Sequence, residues 1–532
     1  MSSAGDWLRD QRRRAARLLN LGLSGVPAAP ALPVRDPWPG DAVRGADLLR
    51  GELVFGGASM PLRPGEAFGE RGPAVLRAHA HGFVWLRDLR ALGTDNARLR
   101  ARALVGEWMA LTRTDPLAWR PDVAGSRLAA WLGHYDFFAA SADDAFRQKL
   151  MARVVTDAQE LARALPAEQL DGRALTAVKG LVAAAIALPE PSTLMSRALR
   201  VLPQEIGRQV LADGMQCERS PGRHVAALQD LCEIRALLQA ASATAPHVLS
   251  PAIERMSQAL RMLRHGDGGL ALFNGTREET PALLEQVLTQ AGRAGRAPND
   301  LPEGGFRRLQ AGRSCLIIDC GPPAAAKLDR LAHAGTLSFE LSVGRERLIV
   351  NCGAAPVADE AWRDACRATA AHSTLVVADT NSAELKPEGL GWRPTHVEVS
   401  PAMTASGPFW LDTSHDGYRR PFGAVHHRRL YMSDSGEDIR GEDSIEAASP
   451  QPFQLRFHLH PGVNASLQQD GEAVLLRLAS GSGWRFRAEP ASIAVEDSIY
   501  LGGAEPRRCQ QIVVTCRQDE PQLVKWGLEK FG

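Results

Sequence analysis

The spacing of apolar residues changes once along this 532-residue chain, near residue 305. From about 76 to 265, apolar side chains recur every three or four positions, which predicts amphipathic helices. One such group is Leu128, Trp131, Leu132 and Tyr135. Pro and Gly clusters interrupt these helices, so the segment predicts consecutive helical hairpins, packed as a toroid or as a solenoid. Because no repeat has a fixed period, the pattern favours the toroid.

After residue 305 the apolar period becomes two, which is typical of strands with one buried face. The clearest examples are segments 314–319, 337–342, 347–350, 454–460, 473–478 and 511–515. Turn residues separate these segments. Many short strands in succession, without helices between them, predict an antiparallel β-sandwich.

These patterns together predict an α+β multidomain protein. An entry segment rich in Pro and Gly covers residues 1–75, a helical (α/α) toroid covers 76–305, and the β-sandwich covers 306–532. The last part of the helical region, 266–305, is rich in loops. A chain of this length can bury two or three sizeable cores.

The charge balance argues against some classes of partner. The net charge is +1, from 62 basic and 61 acidic residues, so the chain has no global field that would attract nucleic acid or an anionic membrane. Only six of the basic residues are lysine. The planar fork of the many arginines suits carboxylates and sulfates, although a high Arg and Ala content is equally typical of a bacterium with a GC-rich genome.

The N-terminus and the cysteines bear on location. No apolar run is long enough to span a bilayer. Residues 1–30 combine Arg12–Arg14 with a short apolar stretch that Arg17 and Asn20 interrupt, which favours an amphipathic helix over a signal peptide. The eight cysteines are scattered and form no CxxC pair, so we expect buried thiols rather than a disulfide framework or a zinc knot.

Three segments concentrate polar residues of the kinds that bind or react. The first lies in the predicted sandwich and contains His333, Asn351 and His372. The second lies in the helical region and contains Glu218, Arg219, Arg223 and His224. The third is the glycine-rich stretch that begins at His265.

A further part of the helical region combines aromatic rings with Arg and His. Its members are His81, Trp85, Arg127 and Trp131. The apolar faces of such rings stack on pyranose rings, while Arg and His donors reach hydroxyl and acid groups. The same residue types are also typical of packing between helices.

The order of these segments over much of the chain resembles the heparinase II/III polysaccharide lyases. Leu331–Ser342, Arg347–Gly353 and Ala370–Val377 resemble the C-terminal domain of that family, and Asp213–His224 resembles the segment that lines its substrate canyon. The resemblance implies a toroid followed by a sandwich, β-elimination as the reaction, and an acidic, uronate-containing polysaccharide as the partner. It also implies a cell-envelope or periplasmic location. The N-terminal sequence keeps a cytoplasmic location open.

The implied reaction assigns roles to the candidate residues. β-Elimination removes the proton beside a carboxylate and protonates the leaving oxygen, so it needs a base, an acid and a cationic clamp for the carboxylate. By resemblance, His224 and His265 are the acid and base candidates. Glu218 orients one of the candidate clamp arginines, which are Arg219, Arg223 and Arg127. The substrate-binding candidates are Arg223, Arg127, Trp131, His81 and Trp85. For segment 213–224 the alternative is a loop braced by a Glu–Arg pair and a helix cap.

Several positions depart from the family pattern. Where the family has His-x-His-x-Asp, this chain has Leu331, His333 and Gly335. Some relatives hold zinc with such residues, but Asn351 replaces an Asp there, and an amide oxygen is a weak zinc ligand. We therefore expect a hydrogen-bonded structural cluster, with zinc as the alternative. Phe273 stands where a tyrosine is expected, and phenylalanine cannot transfer a proton.

Three functional hypotheses follow. The first is a polysaccharide lyase with atypical catalytic residues. The second is a non-catalytic carbohydrate-binding or polysaccharide-biosynthesis accessory protein on the same scaffold. The third is a glycoside hydrolase, which needs a pair of acidic residues, and no pair in the helical region clearly fits. The sequence does not give the oligomeric state.

Overall fold

The computed structural model describes residues 26–531 with several short gaps. The gaps are residues 64, 66, 112–114, 167–170, 190–191, 293–294, 357–358, 401–407, 469–470 and 520–521. The amphipathic helix predicted within residues 1–30 therefore lies almost entirely outside the described part. The chain forms two compact units. The first comprises Met1–Arg208 and Gln229–Pro251, and the second comprises Gln209–Leu228 and Ala252–Gly532.

The first unit is helical. Its helices are α1 (Ala42–Arg50), α2 (Ala74–Gly82), α3 (Leu86–Leu92), α4 (Asp95–Ala110), α5 (Pro121–Gly133), α6 (Tyr135–Phe138), α7 (Asp144–Ala164) and α8 (Arg173–Ala187). A hairpin of β1 (Glu52–Phe55) and β2 (Ala58–Pro61) follows α1. Three further helices contribute residues to both units: α9 (Ser192–Gln209), α10 (Pro221–Ala240) and α11 (Leu249–Met262). None of the described helices is long and apolar enough to cross a membrane.

Local sequence explains the helix ends and the closest helix contact. The side chain of Asp41 accepts hydrogen bonds from the first turn of α1, and Gly51 ends that helix with φ of 87°, a conformation that glycine adopts without strain. Helices α5 and α8 touch at Gly125 and Gly180. A Cβ atom on Gly180 would lie 2.2 Å from the carbonyl oxygen of Gly125, so only glycine allows these two backbones to approach so closely.

The second unit is built around two antiparallel sheets. The eight-stranded sheet has the order β11 (Val397–Val399), β12 (Phe409–His415), β13 (Val425–Met432), β14 (Asp438–Glu446), β21 (Leu523–Phe531), β18 (Gly483–Glu489), β17 (Ala473–Arg477) and β16 (Asn464–Gln468). The nine-stranded sheet runs from β19 (Ser492–Tyr500) through β20 (Arg507–Cys516), β15 (Phe453–Leu459), β7 (Glu346–Val350), β6 (Phe339–Val343), β5 (Ser314–Asp319) and β4 (Phe306–Ala311) to β3 (Asp300–Leu301), and β8 (Leu375–Val377) pairs with β15.

Short elements complete this unit. They are α12 (Pro281–Ala291), α13 (Glu360–Arg367), α14 (Arg419–Phe422) and a small hairpin of β9 (Leu385–Lys386) and β10 (Gly389–Leu390). The helical N-terminal part followed by C-terminal antiparallel sheets confirms the α+β class that the change in apolar period predicted. The domain limits at residues 75 and 305 stay predictions.

An ion pair lies inside the apolar core of the second unit. The Arg428 Nε donates to Asp443 Oδ1 at 2.7 Å, and both side chains are fully buried. His426 and Trp526 also donate to this carboxylate, at 2.8 and 2.9 Å. Burial raises the pKa of Asp443, but Arg428 and His426 lower it more, so the pKa of that carboxyl stays below its usual range. Such a pair is costly to break, because the remaining charge would be buried without a partner.

The packing of Trp526 gives a test of the sandwich. A Cβ atom on Gly441 would lie 2.1 Å from the Trp526 ring, whereas no atom of the described residues lies within 4 Å of a Cβ on Gly527 in the neighbouring strand. We expect Gly441→Ala to lower the free energy of unfolding by about 2 kcal/mol through overpacking. Gly527→Ala, the matched control, should be neutral or slightly stabilising. Chemical denaturation measures both, and equal effects of the two variants would contradict this packing.

Candidate functional site

The carboxylate of Glu340 lies at the centre of a polar cluster in the second unit. It stands on β6 and is fully buried. Its Oε2 accepts from His265 Nε2 and from the backbone N–H of Leu272, each at 3.1 Å. Its Oε1 accepts from the backbone and side-chain N–H groups of Asn351, at 3.0 and 3.3 Å. One carboxylate thus joins the loop after α11 to the strands β6 and β7.

His265 is held between Glu340 and a hydroxyl group. Its Nδ1 lies 2.9 Å from Ser342 Oγ. Burial lowers the pKa of His265 below its usual value even though Glu340 acts in the opposite direction. For Glu340, burial raises the pKa, but the hydrogen bond from His265 helps to bring it below the ordinary range. A neutral imidazole that donates to the carboxylate through Nε2 must accept a hydrogen bond from the Ser342 hydroxyl group at Nδ1.

His333 and His372 form one continuous chain of hydrogen bonds. The Nδ1 of His372 lies 2.8 Å from the carbonyl oxygen of Ala368, which can only accept, so this nitrogen carries the proton. The Nε2 of His372 therefore accepts from His333 Nδ1, at 3.0 Å. The Nε2 of His333 then accepts from the backbone N–H of Gly275, also at 3.0 Å. Every ring nitrogen of the pair is used.

These residues do not fit a zinc ion. Zinc needs an imidazole lone pair from each histidine, and both lone pairs of this pair already accept N–H groups. The Asn351 amide oxygen accepts from the backbone of Ser373, at 3.0 Å. A Cβ atom on Gly335 would lie 2.7 Å from the His372 ring, so the ring occupies the space where the family pattern places an acidic side chain. Among the described residues, no group of three His, Cys, Asp or Glu side chains could hold a metal.

His224, the second acid or base candidate, is enclosed. It is fully buried. Its Nε2 lies 2.8 Å from the carbonyl oxygen of Met256, and its Nδ1 accepts from the backbone N–H of Gln216 at 3.3 Å. Burial lowers the pKa of His224 to about 4. A ring with both nitrogens engaged and no exposed surface braces the segment that carries it and does not contact a solvent-side ligand.

Arg219 also points into the protein. Its φ is 56°, and its guanidinium donates to four backbone carbonyl oxygens and to the carboxylate of Asp319. Nearby, Arg223 Nε donates to Glu218 at 3.4 Å, and the Arg223 side chain is 28% exposed. Of the cationic candidates in this segment, Arg223 is therefore the one with surface available to a ligand. The Glu–Arg brace that the sequence offered as an alternative is present.

The first unit holds the other clamp candidate, Arg127. It is fully buried and donates to Asp157 Oδ2 through Nε and Nη2, at 3.1 and 2.9 Å. Its guanidinium carbon lies 4.2 Å from the ring centre of Trp108 and 5.8 Å from that of Trp131. A buried cation that has an anionic partner and aromatic rings at these distances stabilises the packing of the helices that carry them.

His81 and Trp85 belong to the same buried region of the first unit. Trp108 Nε1 donates to His81 Nδ1 at 3.0 Å, and Trp85 Nε1 donates to the carbonyl oxygen of Ala80 at 3.0 Å. Burial lowers the pKa of His81 to about 3, with Arg127 adding to the effect. The geometry of these residues supports packing between helices, the alternative that the sequence left open.

A basic pocket borders His265 in the second unit. Its volume is about 640 Å³. The basic side chains that line it are Arg261, Arg264, Arg296, Arg308 and Arg345, against the acidic Asp267 and Glu285. Arg264 pairs with Glu285 at 2.7 Å, whereas Arg345 and Arg296 are exposed and have no ion-pair partner among the described residues. Such an excess of positive charge in a concave site attracts anionic groups.

Sequence reasoning missed several members of this site. Glu340 and Ser342 lie in a strand whose five residues are all buried, and a charged residue between two apolar neighbours was the available signal. Tyr500 was also missed. It is buried and donates to Glu278, and burial raises its pKa. The pocket arginines come from four separate segments of the sequence, so no local pattern identifies them.

The buried histidine chain predicts an acid-dependent loss of stability. The pKa of His372 falls from 6.5 to about 4 on burial, and that of His333 lies well below 6.5. The unfolded state therefore takes up protons that the folded state does not. The contribution of the neutral histidines to the free energy of unfolding is fully present above pH 6.5. It is lost as the pH falls towards 4, by about 3 kcal/mol for His372 alone.

Urea unfolding of the wild type and of His372→Gln at several pH values measures this effect. The variant should be less stable at neutral pH and should lose less stability between pH 6.5 and 4, the interval that the His372 pKa defines. His247→Gln, which changes an exposed histidine of the first unit, is the matched control. Identical pH slopes in the wild type and His372→Gln would contradict the enclosed, neutral pair.

Comparison with known proteins identifies the family. Residues 108–294 match the model of the heparinase II/III N-terminus, and residues 293–527 match the heparinase II/III-like C-terminal model. The chain is 33% identical over 524 residues to the FtsZ-localized protein C of Caulobacter vibrioides, covering 93% of this chain and 89% of that protein.

Solved structures show the same fold at low identity. A heparinase III structure superposes with a TM-score of 0.77 at 14% identity, covering 97% of this chain and 89% of that one. The heparan sulfate lyase HepC of Pedobacter heparinus, in a mutant form, gives 0.65 at 17% identity, covering 92% and 82%. The family models, the curated relative and the order of the sequence segments agree, and the chain belongs to the heparinase II/III-like family.

Proposed function

We propose that this protein works where FtsZ is located, as a member of the lyase-like family that binds an acidic ligand without cleaving it. This is the non-catalytic hypothesis, extended by the name of the Caulobacter relative. The observation that carries it is the enclosure of the histidines. His224, His333 and His372 use every ring nitrogen inside the protein.

Enclosed histidines argue against β-elimination. The reaction needs an acid and a base that both reach one substrate. Phe273 replaces the expected tyrosine and is itself buried. Of the two acid and base candidates, only His265 lines the basic pocket, and its nitrogens already contact Glu340 and Ser342. A single imidazole with these partners supports binding more than it supports a two-proton reaction.

The basic pocket supports an acidic ligand. Arg345 and Arg296 are exposed at its edge, and their planar forks suit carboxylate, sulfate or phosphate groups. Arg308 is held in place by carbonyl oxygens, including that of Met262 at 3.0 Å. A fixed wall with free cations at its rim is suited to binding an anionic group.

The Caulobacter relative supports the cellular part of the proposal. Its name describes a protein that localises with FtsZ, and the two chains align over almost their whole lengths. Such coverage means that the helical part and the sandwich are both shared with that protein. This similarity supports a location at FtsZ structures, in a role that does not depend on cleavage.

The enzymatic part of the proposal is tested with purified protein and acidic glycans. We expect no ultraviolet-absorbing C=C product from heparan sulfate, alginate or polyglucuronate. A glycan that binds should raise Tm, because a ligand of the native state stabilises it by mass action. Arg345→Glu should reduce that shift, whereas Arg420→Glu, an exposed arginine on α14 outside the pocket, should not.

The second candidate function is a uronate lyase that uses His265 as its base. It is favoured by the position of His265 in the wall of the basic pocket. A rising ultraviolet signal that disappears in His265→Ala would establish this lyase and contradict the non-cleaving role. The same signal in both proteins would contradict the non-cleaving role and also exclude His265 as the base.

The cellular part is tested by localisation. A fluorescent fusion of the full chain should form bands or foci that coincide with FtsZ, and these should disperse when FtsZ is depleted. The fusion carrying Arg345→Glu separates ligand binding from recruitment, since the substitution changes the pocket alone. A uniform signal in cells with assembled FtsZ would contradict the proposal.

A further inference from the structure

A groove in the first unit is lined by three arginines. It lies between the C-terminal part of α7 and the N-terminal part of α9, and its volume is about 730 Å³. We call it the helix groove. The basic pocket belongs to the second unit and shares no residue with it. The polar side chains that line the helix groove are Gln159, Arg163, Thr193, Ser196, Arg197 and Arg200.

The helical period brings these side chains to the groove from two helices. On α9, Thr193, Arg197 and Arg200 follow one another at spacings of four and three residues. On α7, Gln159 and Arg163 are four residues apart, and Arg163 stands in the last turn. Side chains at these spacings are neighbours on one face of a helix. Each helix therefore supplies a continuous polar wall.

Arg197 is anchored at the end of the other helix. Its Nη2 donates to the carbonyl oxygen of Leu165, which directly follows α7. Its Nε is buried and has no hydrogen-bond partner among the described residues. A buried donor without an acceptor costs free energy, and a ligand oxygen placed beside it would recover that cost.

The other two arginines, Arg163 and Arg200, are exposed. Within the part of the chain that the structure describes, neither has a hydrogen-bond or ion-pair partner. Other surface arginines of the first unit do have one, as in the pairs of Arg98 with Asp95 and of Arg147 with Asp144. The positive charges along the helix groove therefore repel one another without compensation, and a bound anion would relieve this repulsion.

The absence of carboxylates distinguishes this groove from the other concave surfaces. No Asp or Glu is among the described residues that line it. The basic pocket contains Asp267 and Glu285. A larger concavity, about 1380 Å³ on the eight-stranded sheet, contains Glu442, Glu472 and Glu489 beside its basic residues. The helix groove thus combines cations and hydroxyl groups without an acidic side chain.

This set of donors favours phosphate over a carboxylate or a sugar ring. A phosphate monoester carries nearly two negative charges and three strong acceptor oxygens, which several guanidinium groups can share. A carboxylate carries one charge, and a single arginine can bind both of its oxygens. Among the described lining residues there is no aromatic side chain, so the groove offers no flat apolar face on which a pyranose ring or a nucleobase would stack.

We propose that the helix groove binds a phosphate monoester or diphosphate group. Arg163, Arg197 and Arg200 donate to its oxygens through their guanidinium groups, and the exposed hydroxyl groups of Thr193 and Ser196 supply further donors. A soluble ester and a lipid headgroup present the same oxygens, so both are sources of this group. The site is independent of the proposed function, because it uses none of the residues of the basic pocket.

The test measures the affinity of the full chain for glycerol phosphate and for pyrophosphate by titration calorimetry. Glucuronate and a short peptide of aspartates are the comparison anions. All proteins carry Arg345→Glu, which weakens anion binding at the basic pocket. The groove variants are Arg163→Ala and Arg200→Ala. The matched control is Arg71→Ala, which also changes an exposed arginine of the first unit but lies outside the groove.

We expect Arg163→Ala and Arg200→Ala each to raise the Kd of glycerol phosphate about tenfold, the equivalent of about 1.4 kcal/mol. The Arg71→Ala control should leave it unchanged. Affinity should also fall as the pH is lowered through about 6, because the ester then takes up a proton. The described lining residues include no His, Asp or Glu, and arginine stays charged throughout, so this change reports the ligand.

Vesicles of phosphatidylcholine and phosphatidic acid in equal amounts separate the two sources. Cosedimentation that is lost in Arg200→Ala assigns the lipid headgroup, and binding of glycerol phosphate without cosedimentation assigns a soluble ester. The proposal is overturned if no form of phosphate binds, if both groove variants bind as the background does, or if glucuronate or the aspartate peptide binds equally well. Loss of FtsZ localisation or a lyase signal would contradict the proposed function and leave this result unchanged.

Discussion

The buried carboxylate of Glu340 is the interaction on which the polar centre of the second unit depends. One of its oxygens receives N–H groups from His265 and Leu272, and the other receives two from Asn351. A carboxylate buried without such donors would be strongly unfavourable. The loop that carries His265 is therefore placed by the register of the sandwich strands, and the imidazole can turn only if a charge inside the protein loses a donor.

The arrangement of apolar residues predicted the class of each half because burial of a face at a period of about 3.6 or of 2 is decided locally. The same reasoning could not separate the two explanations of Arg127 and Trp131. An arginine beside aromatic rings suits both a sugar-binding surface and a buried cation–π contact. The carboxylate of Asp157, 30 residues away, distinguishes them, and sequence spacing does not reveal a pairing between two helices.

Candidate residues of the second unit were predictable where one short segment contains them and obscure where several strands contribute. His333 and His372 stood out because each lies in a segment that resembles the C-terminal domain of the family, although both lie outside the strands. On the outer face of the eight-stranded sheet, a row of directly paired residues joins Trp410 to Arg487 through three intervening strands. Its composition follows from register, and a shift of one residue in any strand would turn that member of the row to the other face. No single segment of the sequence contains this information.

The chain of hydrogen bonds from Gly275 through His333 and His372 to Ala368 has a direction. Each link points the same way, so its dipoles add and each bond polarises the next. Reversing one tautomer would place two donors or two lone pairs face to face. The members of the chain therefore form a cooperative unit. Replacing either ring alone leaves its neighbour mismatched, so the stabilising effect of each histidine depends on the presence of the other.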